Sequence, residues 1–150
     1  EDHASAQFNW DLFVLAGNPV VSPKSLERGS PNITADNMFN SPDGIAFDND
    51  GRLWIQTDGK YSNKGEFAGM GNNQMLCGNP VTGEIRRFMV GPVACEVTGF
   101  AMTPDQTTMF VGIQHPGEEL AASHFPDGGN TVPRSSVIAI RRNDGGVIGA

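Results

Sequence analysis

A chain of 150 residues, 38% of them hydrophobic, is long enough for one ordinary core and too short to expect two. Its 19 glycines and 10 prolines, set against only 18% charged residues, suit many short strands and turns and count against a bundle of long helices. The formal charge of -7 argues against nucleic acid or an anionic membrane as partner, because binding either relies on Lys and Arg neutralising phosphates.

In chain order, residues 10–16 form an apolar run that reads like a later strand of a β unit. Residues 18–40, interrupted by Pro19, Pro23 and Pro31, read as a long connection with a turn of helix over 24–29. The strand pair 43–48 and 53–56 then flanks the turn Asn49-Asp50-Gly51 and predicts a hairpin. After a Gly- and Asn-rich loop over 58–72, strands at 74–77 and 84–90 flank the turn 79–83. A second hairpin follows at 98–103 and 109–114 around Pro104-Asp105-Gln106. Beyond it come a long loop over 115–135, a strand at 136–140 and, at 146–149, a segment that begins a fourth strand or stops short of it.

The two hairpins are copies of one another, starting at 43 and 98 and therefore 55 residues apart. Self-similarity of this kind, in units of about four strands, predicts an all-β fold built from β-propeller blades, with long loops accounting for a period above the usual ~40–50 residues. The expected division is a blade part over 8–40, a blade over 41–91 and a blade over 92–150, about two blades and a part. The remaining blades, or other copies of the chain, are the expected partners covering the open faces. Trp54, Phe47, Phe100 and Phe110 are expected in the blade core, and Glu84, Arg86 and Arg87 on a solvated outer strand. Cys77 and Cys95 lack the spacing of a redox pair or a zinc knuckle, and a disulfide between them is allowed but not required.

In a propeller the first strand of each blade lines a central channel and the second strand returns to the same mouth. That topology brings Asp43, Asp58, Glu96 and His115 together although they are far apart in sequence. Loop carboxylates around a channel suit a hard cation such as Ca²⁺, which takes several oxygen ligands. Asp43 reads as such a ligand or as the Asp of an Asp-Gly turn. Glu96 stands in an apolar run, where an unpaired carboxylate is costly to bury, and reads as a ligand or a buried ion-pair partner. Asp58 reads as a turn former or a contact to metal or substrate, and His115 as a metal or phosphate contact or a solvated loop histidine. Asp48, Asp50 and Asp105 lie in the hairpin turns at the other mouth and read as structural.

The strings SPDGIAFDNDGRLWIQTDG, GNNQMLCGNPVTGEIRRFMVGP, CEVTGFAMTPDQTTMFVGIQHPGE and RSSVIAIRRNDGGVIGA resemble the C-terminal portion of PhoX-type alkaline phosphatases, collinearly over about residues 8 to 149. The resemblance implies a six-bladed propeller exported by the twin-arginine route, hence periplasmic or secreted. It also implies hydrolysis of phosphate monoesters with calcium and iron in the channel. Carried over by motif, Asp43 in SPDG and Glu96 in CEVTG would be calcium ligands. The family's iron-binding cysteine lies upstream of the matched region and corresponds to neither Cys77 nor Cys95. The expectation is therefore an active intact protein and an inactive 150-residue piece. Two alternatives share the architecture: a calcium-dependent lactonase or esterase, suggested by the PDG turn, and a non-catalytic propeller segment that binds protein or glycan.

Overall fold

Both hairpin turns close through their own side chains. Asp48 Oδ1 accepts from the backbone N–H of Asp50 at 3.0 Å and of Arg52 at 2.9 Å, and Gly51 takes the left-handed φ of +79° that the turn demands. In the second copy Thr103 and Asp105 share the task, Asp105 Oδ1 accepting from Thr107 N at 3.1 Å and Thr103 Oγ1 from Thr108 N at 3.1 Å. Gln106 links the two turns, accepting from Asn49 N at 3.0 Å and donating to Asp50 Oδ2 at 3.2 Å.

A computed structural model describes residues 3–59, 62–118 and 123–150. Its strands are β1 (Pro42–Phe47), β2 (Leu53–Thr57), β3 (Gln74–Gly78), β4 (Ile85–Val90), β5 (Glu96–Met102), β6 (Met109–Gln114) and β7 (Ser136–Ile140). They form two antiparallel sheets, β1-β2-β3-β4 and β5-β6-β7, each a meander in chain order. The sequence repeat is visible in the ladders, for β1 and β5 are both first strands and both bulge at the same place, between Pro42 and Ile45 and between Thr98 and Phe100. A one-turn 3₁₀ helix at Leu26–Arg28 lies within the expected helical turn.

The sheets pack face to face on Trp54, Met75, Cys95, Val97, Met109, Val111, Ile113 and Ile148, all buried. Trp54 is the hub. Its indole meets Phe88 edge-on at 4.9 Å, stacks on Phe100 at 6.0 Å and donates through Nε1 to Asp48 Oδ2 at 3.0 Å. Burying such side chains contributes about 1.5–3 kcal/mol each. A second cluster, centred on Phe39, Ile55 and Leu76, seats the connection over 13–40 against the outer face of the first sheet.

The structure departs from the sequence reading at residues 10–16, at Phe47 and Phe110, and at Arg87, and it decides two points left open, residues 146–149 and the cysteines. Residues 10–16 form no strand: the segment is anchored by Ser30, which bonds both N and O of Leu15, and the isolated bridge Gly17 to Phe39 follows it. Residues 146–149 stop short of a fourth strand. The Arg142 guanidinium gathers Asp144 and the carbonyls of Val147 and Ala150 into a hook, and Ile148 drops into the core with its N–H on Gln106 O at 3.0 Å. Phe47 and Phe110 are 63% and 40% exposed, because they face outward from β1 and β6 while Trp54 and Phe100 face the other sheet. Arg87 is half-buried rather than fully solvated: it donates to Gln74 Oε1 at 2.6 Å and to Met38 O at 3.1 Å, tying β4 to β3 and to the 13–40 connection. Both cysteines are free, Cys95 in the core between the sheets and Cys77 half-buried on β3. Among the described residues no helix is long and apolar enough to cross a membrane.

Candidate metal centre

The site lies where the two sheets abut, at the end opposite the hairpin turns. Asp58 directly follows β2, Glu96 opens β5, and His115 directly follows β6, whose Gln114 is the ladder partner of Glu96. Local backbone geometry sets their directions. Ala94 enters β5 with a left-handed φ of +49° and His115 leaves β6 with φ +36°, held there by its N–H on Ser135 Oγ at 3.0 Å. Asp58 is fixed by its N–H on Ser41 O at 3.1 Å, the last link between β1 and β2.

One ligand atom from each of Asp58, Glu96 and His115 falls within 4.8 Å of the others. Glu96 is buried, only 8% exposed, with His115 Nε2 at 3.4 Å from its Oε2. A buried carboxylate at that position is costly without a positive partner, which a bound cation supplies. His115 Nδ1 is buried and, among the described residues, makes no hydrogen bond, with Glu118 Oε2 3.4 Å away. The two imidazole nitrogens therefore face different carboxylates, Nε2 toward Glu96 and Nδ1 toward Glu118.

Of the four sequence-predicted residues, the structure brings together Asp58, Glu96 and His115. Asp43 sits exposed in the β1 bulge and stands outside this group. Asp48, Asp50 and Asp105 serve the turns, as expected. The sequence reading missed Glu118. It reaches His115 because Pro116-Gly117 fold into a tight turn, with Glu118 N on His115 O at 3.1 Å and on Ala94 O at 3.2 Å. An acidic residue three positions after a histidine, across a Pro-Gly pair, was the available signal.

The chemistry of the donors decides what fits. Two carboxylates and an imidazole suit a divalent cation of mixed O/N preference such as iron, manganese or zinc. Calcium, which takes 6–8 oxygens, would draw only two side chains from this trio and would need further oxygens.

The family model described as Alkaline phosphatase PhoX matches residues 1–117. The chain belongs to the PhoX alkaline phosphatase family. A solved structure, Pseudomonas fluorescens PhoX in complex with vanadate, a transition state analogue, is 66% identical and superposes with a TM-score of 0.89. The similarity covers 94% of this chain and 24% of that one, so the chain spans about a quarter of its PhoX relative. A search of curated proteins found no match.

Proposed function

We propose that this chain is the C-terminal part of a metal-dependent phosphomonoesterase, in which Asp58, Glu96 and His115 hold a divalent cation beside the substrate. The observation that carries the reading is the convergence of these three side chains within 4.8 Å in a PhoX chain. The vanadate bound by the related enzyme, a transition state analogue, supports a phosphoryl substrate. The cation, when bound, supplies Lewis-acid polarisation of phosphoryl oxygens and stabilises transition-state charge.

The chain's own groups define the rest. Glu96, fixed at the start of β5, gives the centre its buried negative charge, and Asp58 brings a second carboxylate from the solvent side. His115 must be neutral at the nitrogen that binds. Asp43, pointing from the β1 bulge, is proposed as a calcium ligand at a neighbouring position in a channel that holds both calcium and iron. The two sheets are read as blades 41–91 and 92–150 and residues 8–40 as part of a preceding one, within a six-bladed propeller. The intact enzyme is read as exported, and the 150-residue piece alone as inactive.

The test is phosphate release from p-nitrophenyl phosphate by the full-length protein with and without chelator. Chelator-sensitive activity that falls at least tenfold in Glu96→Gln and Asp58→Asn is expected. Activity indifferent to chelator would refute the proposal.

A further inference from the structure

Asn73 precedes β3 and is only 8% exposed, yet every hydrogen-bonding position of its carboxamide is used. Oδ1 accepts from Thr57 Oγ1 at 2.8 Å and Gly59 N at 2.7 Å, while Nδ2 donates to Gly59 O at 2.8 Å and Cys95 O at 2.8 Å. The orientation is not ambiguous. Gly59 N can only donate, the two carbonyls can only accept, and the Thr57 hydroxyl already accepts from Gln74 N at 2.9 Å.

These partners are the flanks of the metal centre. Thr57 and Gly59 bracket Asp58, and Cys95 immediately precedes Glu96, so one side chain holds the backbone beside both carboxylates. The two belong to different sheets, so no ladder fixes their spacing. The backbone of Asn73 extends the link, its carbonyl accepting from Gly91 N at 2.8 Å in the loop that leads to β5. A Cβ on Gly59 would meet the end of the Asn40 side chain, so the Asp-Gly pair packs directly against residue 40.

We infer that Asn73 is a positioning residue that sets the distance between Asp58 and Glu96 and so tunes cation affinity, an inference that rests on the proposed metal reading. Groups that orient metal ligands commonly cost 10–100-fold in affinity when altered. The carboxamide is required here because two carbonyls face its nitrogen. Aspartate, equal in shape, would turn a negative oxygen toward them.

The experiment uses the full-length protein stripped of metal and titrated with Mn²⁺, which accepts both carboxylate and imidazole donors, with free ion read by electron paramagnetic resonance. The binding event abolished in Glu96→Gln defines the site. Asn73→Asp is expected to weaken that event by about tenfold or more. Thr57→Val, which removes one hydroxyl from the clamp, is expected to weaken it less, and Thr57→Ser, which keeps the hydroxyl, is expected to bind like the parent. Should Asn73→Asp fail to fold, Thr57→Val against Thr57→Ser carries the same comparison. Unchanged Mn²⁺ affinity in the Asn73 and Thr57 variants, with the Glu96 and Asp58 variants impaired, overturns the positioning role alone. Unchanged affinity in Glu96→Gln and Asp58→Asn as well overturns the metal reading, and the inference with it.

Discussion

Replacing Asp48 by Asn tests the turn that supports the hub of the core. The Asp48 side chain has no solvent exposure, and its Oδ2 accepts from Trp54 Nε1 at 3.0 Å and Arg52 Nη1 at 3.1 Å. Asparagine keeps the oxygen that closes the turn but sets an NH₂ against those two donors. Hydrogen bonds to a charged group contribute about 1.5–3 kcal/mol each. Arg52 retains Asp50 Oδ2 at 2.9 Å and is partly solvated, so its loss is discounted. The expected cost to the β1-β2 hairpin is about 2–4 kcal/mol, or roughly 30- to 700-fold in the opening equilibrium at ~1.4 kcal/mol per tenfold. Amide hydrogen exchange of peptides spanning 44–57 in the full-length protein reads local opening directly. Protection within threefold of the parent would refute the assignment. The pH dependence has a definite sign. Burial alone would raise the Asp48 pKa, but bonds from the Arg52 backbone, the Trp54 indole and the Arg52 guanidinium outweigh it and hold the carboxyl below its ordinary value. Its stabilisation is therefore complete above the unfolded value of ~3.9 and is lost as pH falls through the lower folded value. The difference between parent and Asp48→Asn should shrink over that acid range.

Gly59→Ala is expected to push Asn40 or the Asp58 loop aside and to weaken metal binding while leaving the hairpin turns intact. Mn²⁺ titration alongside exchange at 44–57 distinguishes the two effects, and an unchanged affinity would show that the Asn40 side chain alone gives way. Burial pushes the Cys95 thiol up to about 12, so it should resist a thiol-specific disulfide reagent near pH 8 until the protein is denatured. Ready labelling at residue 95, seen by peptide mass, would show that the sheet interface opens. Trp54→Phe should cost about 2–3 kcal/mol, from the lost indole bond to Asp48 and the reduced contact with Phe88 and Phe100. An unchanged unfolding midpoint would count against Trp54 as hub.

The sheets were legible because their signals are local. Alternating apolar residues and Asp-, Gly- and Pro-bearing turns define both hairpins, and the 43 and 98 copies announce the repeat. Residues 10–16 and 146–149 have strand composition but no ladder partner here, and a strand depends on a neighbour more than on its own propensity. Phe47 and Phe110 show the same limit, since sequence assigns a residue to a strand more readily than to the covered face. For the site, the topology of first and second strands pointed to four residues at one mouth; Asp58, Glu96 and His115 do come together, while Asp43 in the β1 bulge stands outside that group. Asn73 was invisible because its role lies in which backbone groups it reaches across two sheets, and an Asn-Asn pair after glycine reads locally as a loop.

The most direct test is anomalous diffraction from crystals of the full-length protein, collected across the absorption edges of iron and manganese. The account predicts a peak within ~2.0–2.6 Å of side-chain atoms of Asp58, Glu96 and His115. Metal bound elsewhere, with Glu96 paired only to His115, would contradict it.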